Sequence, residues 1–300
     1  MLHSILETFH RSFALLGSTP IGYSVGILGL CVLAIFASAM RWQILLRGLG
    51  IQVRLRLLLE INLAATCVGN LAPGRLGGDL LRVVLLQKRA DIGLRLATAS
   101  SLYDRAIEAA QFPLFVLLAL PALPLLFDRL FAWHLSLTVS WPTLRSTLPW
   151  LVAAGLLLVG LCIPTQRILG LQSRLRQVLT ELRTLRVPFR NLGISVLYAQ
   201  AVWTLDALRL LVAARACGVV LTPWQAVALS ISTLIECIVP TMGGLGAVEG
   251  TLIAVLCVYG VSPERAMAIT MLDRTISYGL VTVLGSVFVA FHRTRRSSQQ

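Results

Sequence analysis

Apolar residues crowd into five stretches of the chain, about 21–40, 98–126, 147–163, 191–214 and 265–291. At 1.5 Å per helical residue each is about long enough to cross a hydrocarbon layer ~30 Å thick, so five spanning helices are expected. Two further apolar regions, about 57–88 and 223–260, are interrupted near their middles. The first break runs through Pro73, Gly74, Arg75, Leu76, Gly77, Gly78 and Asp79, and the second through Pro240, Gly243, Gly244, Leu245 and Gly246. Proline lacks the amide donor and glycine favours turns, so no helix is expected to continue through either. The pattern predicts two hairpins of half-helices meeting inside the membrane. Broken backbone persists at that depth only where protein buries it or an aqueous cavity faces it. Two full crossings in place of either hairpin would leave the orientation of the chain unchanged.

Composition agrees with lipid as the main solvent. Of the 300 residues 57% are hydrophobic and 13% charged, and mean hydropathy is +0.82. A soluble domain averages about 25% charged residues. The small-x-small run Ala37-Ser38-Ala39 resembles a signal-peptide cleavage site. The arginines that follow, Arg41 and Arg47, instead hold that flank in the cytoplasm and predict a retained first helix. Six cysteines stand singly in or beside apolar stretches, and the four histidines lie outside them without metal-ligand spacing. No metal and no cofactor is expected, nor does any nucleotide-binding loop or nucleophile motif occur.

The net charge of +13 is almost all arginine, with Lys88 the sole lysine. Basic loops at an anionic membrane surface account for it, and no nucleic-acid partner is expected. Sixteen of the 26 basic residues fall in 41–56, 88–97, 164–190 and the tail from His292. Placing those segments in the cytoplasm predicts an outside N-terminus, a cytoplasmic C-terminus, five crossings and two re-entrant hairpins. The stretch 167–190 spaces Leu171, Leu175, Val178, Leu182 and Leu185 at helical steps among arginines, as in an amphipathic cytoplasmic helix or a solvated connector.

The two halves repeat. Asp104-Arg105 and Asp273-Arg274 each follow the leading glycine of their break, Gly74 or Gly243, by thirty residues. Three crossings separate the breaks in this topology, so the repeats (about 41–127 and 191–291) are inverted. The substrate region is then expected where the breaks meet. The predicted fold is an all-α polytopic membrane protein, one integral domain over 1–300, with an inverted repeat and two re-entrant broken-helix hairpins.

Seven acidic residues sit in apolar segments: Glu60, Asp104, Glu108, Asp206, Glu236, Glu249 and Asp273. Each charge at a helix centre costs at least ~2.5 kcal/mol, so partners or water are required. Asp104 and Glu108 share a helix face, and Asp206 and Arg209 are spaced to pair. Asp104 and Arg105 point ~100° apart, so each needs a partner elsewhere. Exchange across the twofold axis, or contact with the opposing hairpin tip, is the expected arrangement. The pairs then either brace helices or present Arg105 and Arg274 to a phosphate. Arg75 and Arg82 flank the first break as further phosphate candidates. Asp79 reads as a helix cap, and Glu249 as a cap or a proton-titrating carboxylate.

These motifs carry a family resemblance. The runs Pro73-Gly74-Arg75-Leu76-Gly77-Gly78-Asp79-Leu80-Leu81-Arg82 and Leu102-Tyr103-Asp104-Arg105 resemble the flippase-like transmembrane region of lysylphosphatidylglycerol synthetases. So do the stretch from Pro240 to Gly250 and the run Leu272-Asp273-Arg274. The resemblance covers about Arg41 to Phe291. It implies a lipid or lipid-linked headgroup moved between leaflets, with Asp79, Arg82, Asp104, Arg105, Glu249 and Arg274 lining or bracing the cavity. Similar stand-alone members implicate an anionic phospholipid, a glycolipid or a hopanoid-type lipid as partner. With four residues after Arg296, the translocating part alone is expected, without lipid aminoacylation. The expected site is a bacterial inner (plasma) membrane, as a multi-pass protein able to form a homo-oligomer. A membrane-embedded enzyme or subunit acting on lipid-linked substrates, with paired carboxylates as acid and base, is the alternative.

Overall fold

The computed structural model describes residues 11–12, 14–17, 19–72, 76–122, 187–233 and 244–286. All belong to one compact unit assembled from the chain up to Phe127 and from Val187 onward. The expected span 147–163, nearly all of the 167–190 segment, Pro73, Gly74, Arg75, Glu236, Pro240 and Gly243 lie outside the described residues.

Among the described residues every element is helical. They are α1 (Ile21–Gly48), α2 (Leu55–Leu71), α3 (Leu76–Ala90), α4 (Leu94–Ala119), α5 (Phe189–Ala216), α6 (Pro223–Ser232), α7 (Ala247–Val258) and α8 (Pro263–Arg274). A π-helical turn over Thr275–Leu280 continues α8, and the helix resumes to Ser286. Start signals are local. Pro223 and Pro263 occupy first-turn positions, where a missing amide costs nothing. The Thr222 hydroxyl accepts from the Gln225 amide at 3.3 Å while Gln225 Oε1 accepts from the Thr222 amide at 2.9 Å, a reciprocal cap.

Among the described residues, each interrupted region contributes a helix on either side of its break, α2 and α3 in the first and α6 and α7 in the second. α2 and α3 run antiparallel: Gly78 meets Ala65 and Gly69 near the break, and Arg89 reaches Glu60 at 3.5 Å near the far end. A Cβ on Gly78 would lie 2.5 Å from the Ala65 carbonyl oxygen, so glycine is what lets the two backbones touch. At the second break Gly244 and Gly246 hold φ of 75° and 82°, which a side chain would strain.

α1 lies along α5, with Ile27 and Cys31 buried among Leu210, Ala213, Leu252 and Ile269. Trp42 and Leu46 pack with Leu58, Ile61, Leu86 and Ala97, joining α1 to α2, α3 and α4. α6 packs on α4, and the final turns of α8 press on α2, where a Cβ on Gly285 would fall 2.7 Å from both Leu63 O and Cys67 Cβ.

α1, α5 and the continuous stretch Pro263–Ser286 are long and apolar enough to cross a membrane. α4 has the length, but every eighteen-residue window of it contains Asp104, Arg105 and Glu108. One boundary needs correcting. The first helix was expected to end near Met40, with Arg41 opening a cytoplasmic loop; α1 instead continues to Gly48, with Arg41 fully buried. A buried carboxylate, that of Asp104, meets the guanidinium and lets the helix carry the charge inward.

Gly78→Ala should lower the thermal unfolding midpoint of the detergent-solubilised protein by the equivalent of ~1–3 kcal/mol, the usual cost of overpacking. Gly250→Ala, where a Cβ meets nothing within 4 Å, should be neutral or stabilising. Equal responses of the two variants would refute the close α2–α3 contact.

Candidate functional site

Asp104 is the centre of the first group of charges. It and Arg41 are both 0% exposed, and the guanidinium grips the carboxylate through Nε–Oδ1 at 2.7 Å and Nη2–Oδ2 at 3.1 Å. Two parallel charge-assisted bonds of this kind fix direction as well as distance. Arg41 Nη2 also donates to Glu108 Oε1, one turn along α4. From α3, Arg82 donates Nη1 to Asp104 Oδ2 at 2.9 Å and stacks over Trp42, 4.3 Å from the ring centroid. Trp42 is held in turn by its indole N–H bond to the Ser100 hydroxyl at 3.3 Å.

Arg105, the next residue on α4, faces away from this buried fork. It donates Nε and Nη2 to Asp79 Oδ1 at 3.1 and 2.7 Å, and Nη1 to Glu108 Oε2. Its side chain is 47% exposed, against 0% for Asp104. Three arginines thus meet three carboxylates, dry on one side and open on the other.

The second group repeats the plan. On α5, Arg209 lies 3.2 Å from Asp273 Oδ1 and 3.4 Å from Asp206 Oδ1. Arg274 donates Nε to Glu249 Oε1 at 2.8 Å, while Glu249 Oε2 accepts the Gly246 amide at 2.6 Å and so caps α7. The Arg274 guanidinium also stands 5.1 Å from the Tyr278 ring centroid.

The correspondence is close in sequence. Arg41 precedes Asp104 by 63 residues, and Arg209 precedes Asp273 by one more. Asp79 precedes Arg105 by 26, and Glu249 precedes Arg274 by 25. In each half, the aspartate of the Asp-Arg pair takes an arginine from the helix before the hairpin. The arginine takes a carboxylate from the second helix of its own hairpin.

Of the residues singled out from sequence, Asp79, Arg82, Asp104 and Arg105 therefore come together in the first group. Asp273, Arg274 and Glu249 belong to the second. Exchange across the halves, or contact with the opposing hairpin tip, was expected for the Asp-Arg pairs. Among the described residues the ion pairs shown for them lie within their own half, Arg41–Asp104 and Asp79–Arg105 in the first, Arg209–Asp273 and Glu249–Arg274 in the second. Asp79 serves as an acceptor for Arg105. Asp206 and Arg209 do pair, and Arg209 additionally bridges to Asp273. Arg41 and Arg209 were not among the expected site residues, Arg41 being counted as a loop cation. Their nearly equal offsets to the two Asp-Arg pairs were a usable signal.

These elements define a polytopic α-helical membrane protein with charged groups held at two matched places. The chain belongs to the family described as the lysylphosphatidylglycerol synthase TM region, which it matches over residues 8–285. It is similar to a UPF0104 membrane protein of Methanothermobacter thermautotrophicus, 27% identical over 290 residues, covering 88% of this chain and 83% of the relative. A second relative, the UPF0104 membrane protein PH1989 of Pyrococcus horikoshii, is 25% identical over 290 residues, covering 90% and 86%. No solved structure matches.

Removing one partner of a buried pair leaves an uncompensated charge. Arg41→Ala should therefore cost ~3–5 kcal/mol of stability. Arg105→Ala, at a half-exposed position, should cost about 1 kcal/mol or less. Denaturant unfolding in micelles separates the two, and a smaller loss at Arg41 than at Arg105 would contradict the buried-fork assignment.

Proposed function

We propose that this chain moves an anionic lipid or lipid-linked headgroup between the leaflets of a bacterial inner membrane. The carrying observation is the half-exposed Arg105, paired with Glu108 in the middle of a helix 26 residues long and with Asp79 of α3. Ionised side chains at that depth take partners or water, and the 47% exposure of the paired Arg105 supports a wet cavity opening on it. A headgroup phosphate oxygen can accept the two donors, Nε and Nη2, that converge on Asp79 Oδ1. Substrate can therefore take over donors that Asp79 and Glu108 hold at rest. Acyl chains would remain in the bilayer.

On this reading the two halves are inverted repeats with re-entrant hairpins, the N-terminus outside and the C-terminus in the cytoplasm. The matched ion pairs support a repeat, as does the crosswise packing, in which α6 contacts α4 and the end of α8 contacts α2. The surplus of basic residues in the segments assigned to the cytoplasm, fifteen of 26 once the buried Arg41 is set aside, supports the orientation. Arg82, Asp104 and Asp273 act as braces, while Arg105 touches substrate. The enzyme alternative draws little from the site, because Asp104 and Glu108 are both engaged by guanidinium groups.

Purified protein in liposomes should transfer headgroup-labelled anionic phospholipid to the far leaflet, measured by protection from a membrane-impermeant quencher. Arg105→Ala should reduce the rate at least ~10-fold, a loss of about 1.4 kcal/mol in interaction with the moving headgroup, while the protein stays folded. Transfer by the folded variant at the native rate would remove Arg105 from the site. Failure to move phospholipid, glycolipid or polycyclic lipid would overturn the transport reading.

A further inference from the structure

Each charged group is held by ion pairs within its own half, and one side chain of the second group, Tyr278, also reaches into the first half. Tyr278 lies in the π-helical turn directly after Asp273-Arg274. Its ring underlies the Arg274 guanidinium at 5.1 Å, and its hydroxyl donates to the Asn70 carbonyl at 2.7 Å. Asn70 is the penultimate residue of α2, just before the first break. Its carbonyl is among the last four of that helix, which have no partner within the helix. A hydroxyl from the other half therefore caps the end of the first hairpin's leading helix.

The contact is closed into a ring. Asn70 Nδ2 donates to Thr282 Oγ1 at 2.7 Å, and Thr282 Oγ1 donates to the Tyr278 carbonyl at 2.6 Å. One turn further on, Ser286 Oγ lies 3.1 Å from Cys67 Sγ, and Gly285 allows the backbones to meet. Tyr278, Thr282 and Ser286 thus follow one another at four-residue steps along the face turned to α2. A π-helical turn widens one turn of the helix and re-aims the side chains after it, and such turns concentrate at functional places.

We propose that Tyr278 is a positioning residue that couples the Arg274–Glu249 pair to the tip of the first hairpin. Displacement of Arg274 from Glu249 is then felt at Asn70 through the shared ring and hydroxyl. The proposal concerns communication between the halves and stands independently of what the protein carries.

Cys67 is a built-in reporter, since its thiol is buried against Ser286 and reacts only when this contact opens. Its alkylation rate can be followed by peptide mass spectrometry in the full chain in liposomes, with N-ethylmaleimide as probe. Tyr278→Phe keeps the ring under Arg274 and removes the hydroxyl. It should raise the rate at Cys67 about tenfold, as loss of one buried hydrogen bond would. Thr282→Val tests the same ring from its other side and should act in the same direction.

The decisive measurement is a double-mutant cycle. Glu249→Gln keeps an acceptor for the Gly246 amide but frees Arg274 from its ion pair. It should raise the Cys67 rate several-fold in the native background and less than about twofold alongside Tyr278→Phe or Thr282→Val. An equal fold-change in all backgrounds, or none in the native one, overturns the coupling. Non-additivity in a protein that moves no lipid would retain the coupling and retract only the transport reading.

Discussion

A charge buried among helices must be answered at close range, and the Arg41–Asp104 fork is where this chain meets that demand most fully. Neither partner touches solvent, and the two come from helices far apart in sequence. The pair therefore fixes both the rotation of α1 and the depth of α4. Once those are set, Arg82 can reach the same carboxylate only if α3 folds back along α2, so the hairpin is placed by the same atom group. The stack of Arg82 on Trp42 and the anchoring of Trp42 by Ser100 follow from that placement. Replacing a buried pair by apolar side chains is often tolerated, but losing one member is not. The fork is thus a constraint on geometry more than a source of net stability.

Packing among these helices has no hydrophobic drive when lipid is as apolar as the side chains, so close backbone approach takes its place. Gly78 against Ala65 and Gly285 against Leu63 bring α3 and the end of α8 onto opposite sides of the same short helix, α2. That helix ends next to the first break and is held there by polar groups from α8. Small residues and a few hydrogen bonds, rather than large interdigitating side chains, decide where the broken tip sits.

Much of the helical plan was legible in the chain itself, because the signals are local. Prolines, glycines and apolar length predicted α2 with α3, α6 with α7, and the course of α5 and α8 to within a few residues. The repeated Asp-Arg pairs were legible too, since spacing along a chain needs no third dimension. Which partner each charge finds could not be read in this way. Arg41 stands immediately after an apolar run, where a basic residue ordinarily marks the membrane surface. Only the fold brings Asp104 beneath it and turns the stop signal into a buried ligand. Arg209 likewise has a local partner in Asp206 that satisfies the eye, while the contact to Asp273 depends on how α8 crosses α5. Glu249 was legible as a cap from its place three residues into α7, and its second bond to Arg274 was not.

Comparison of the two groups, position by position, separates architecture from specialisation. The shared frame is an arginine before the hairpin, a carboxylate in its second helix and the Asp-Arg pair after it. Arg82 lies three residues after Asp79, where the other half has buried Leu252 after Glu249. Glu108 lies four residues after Asp104, where the other half has Ser277 after Asp273. The first half thus holds Arg82 and Glu108 where the second has Leu252 and Ser277, while the second holds Asp206 beside Arg209. Exposure differs as well: the Arg105 side chain is 47% exposed and that of its counterpart Arg274 17%. A frame that serves both halves equally explains why the helices cross as they do. Arg82, buried against Asp104, and Glu108, which binds both Arg41 and Arg105, tie three helices together in the first group, and Arg105 is the arginine there that opens toward water.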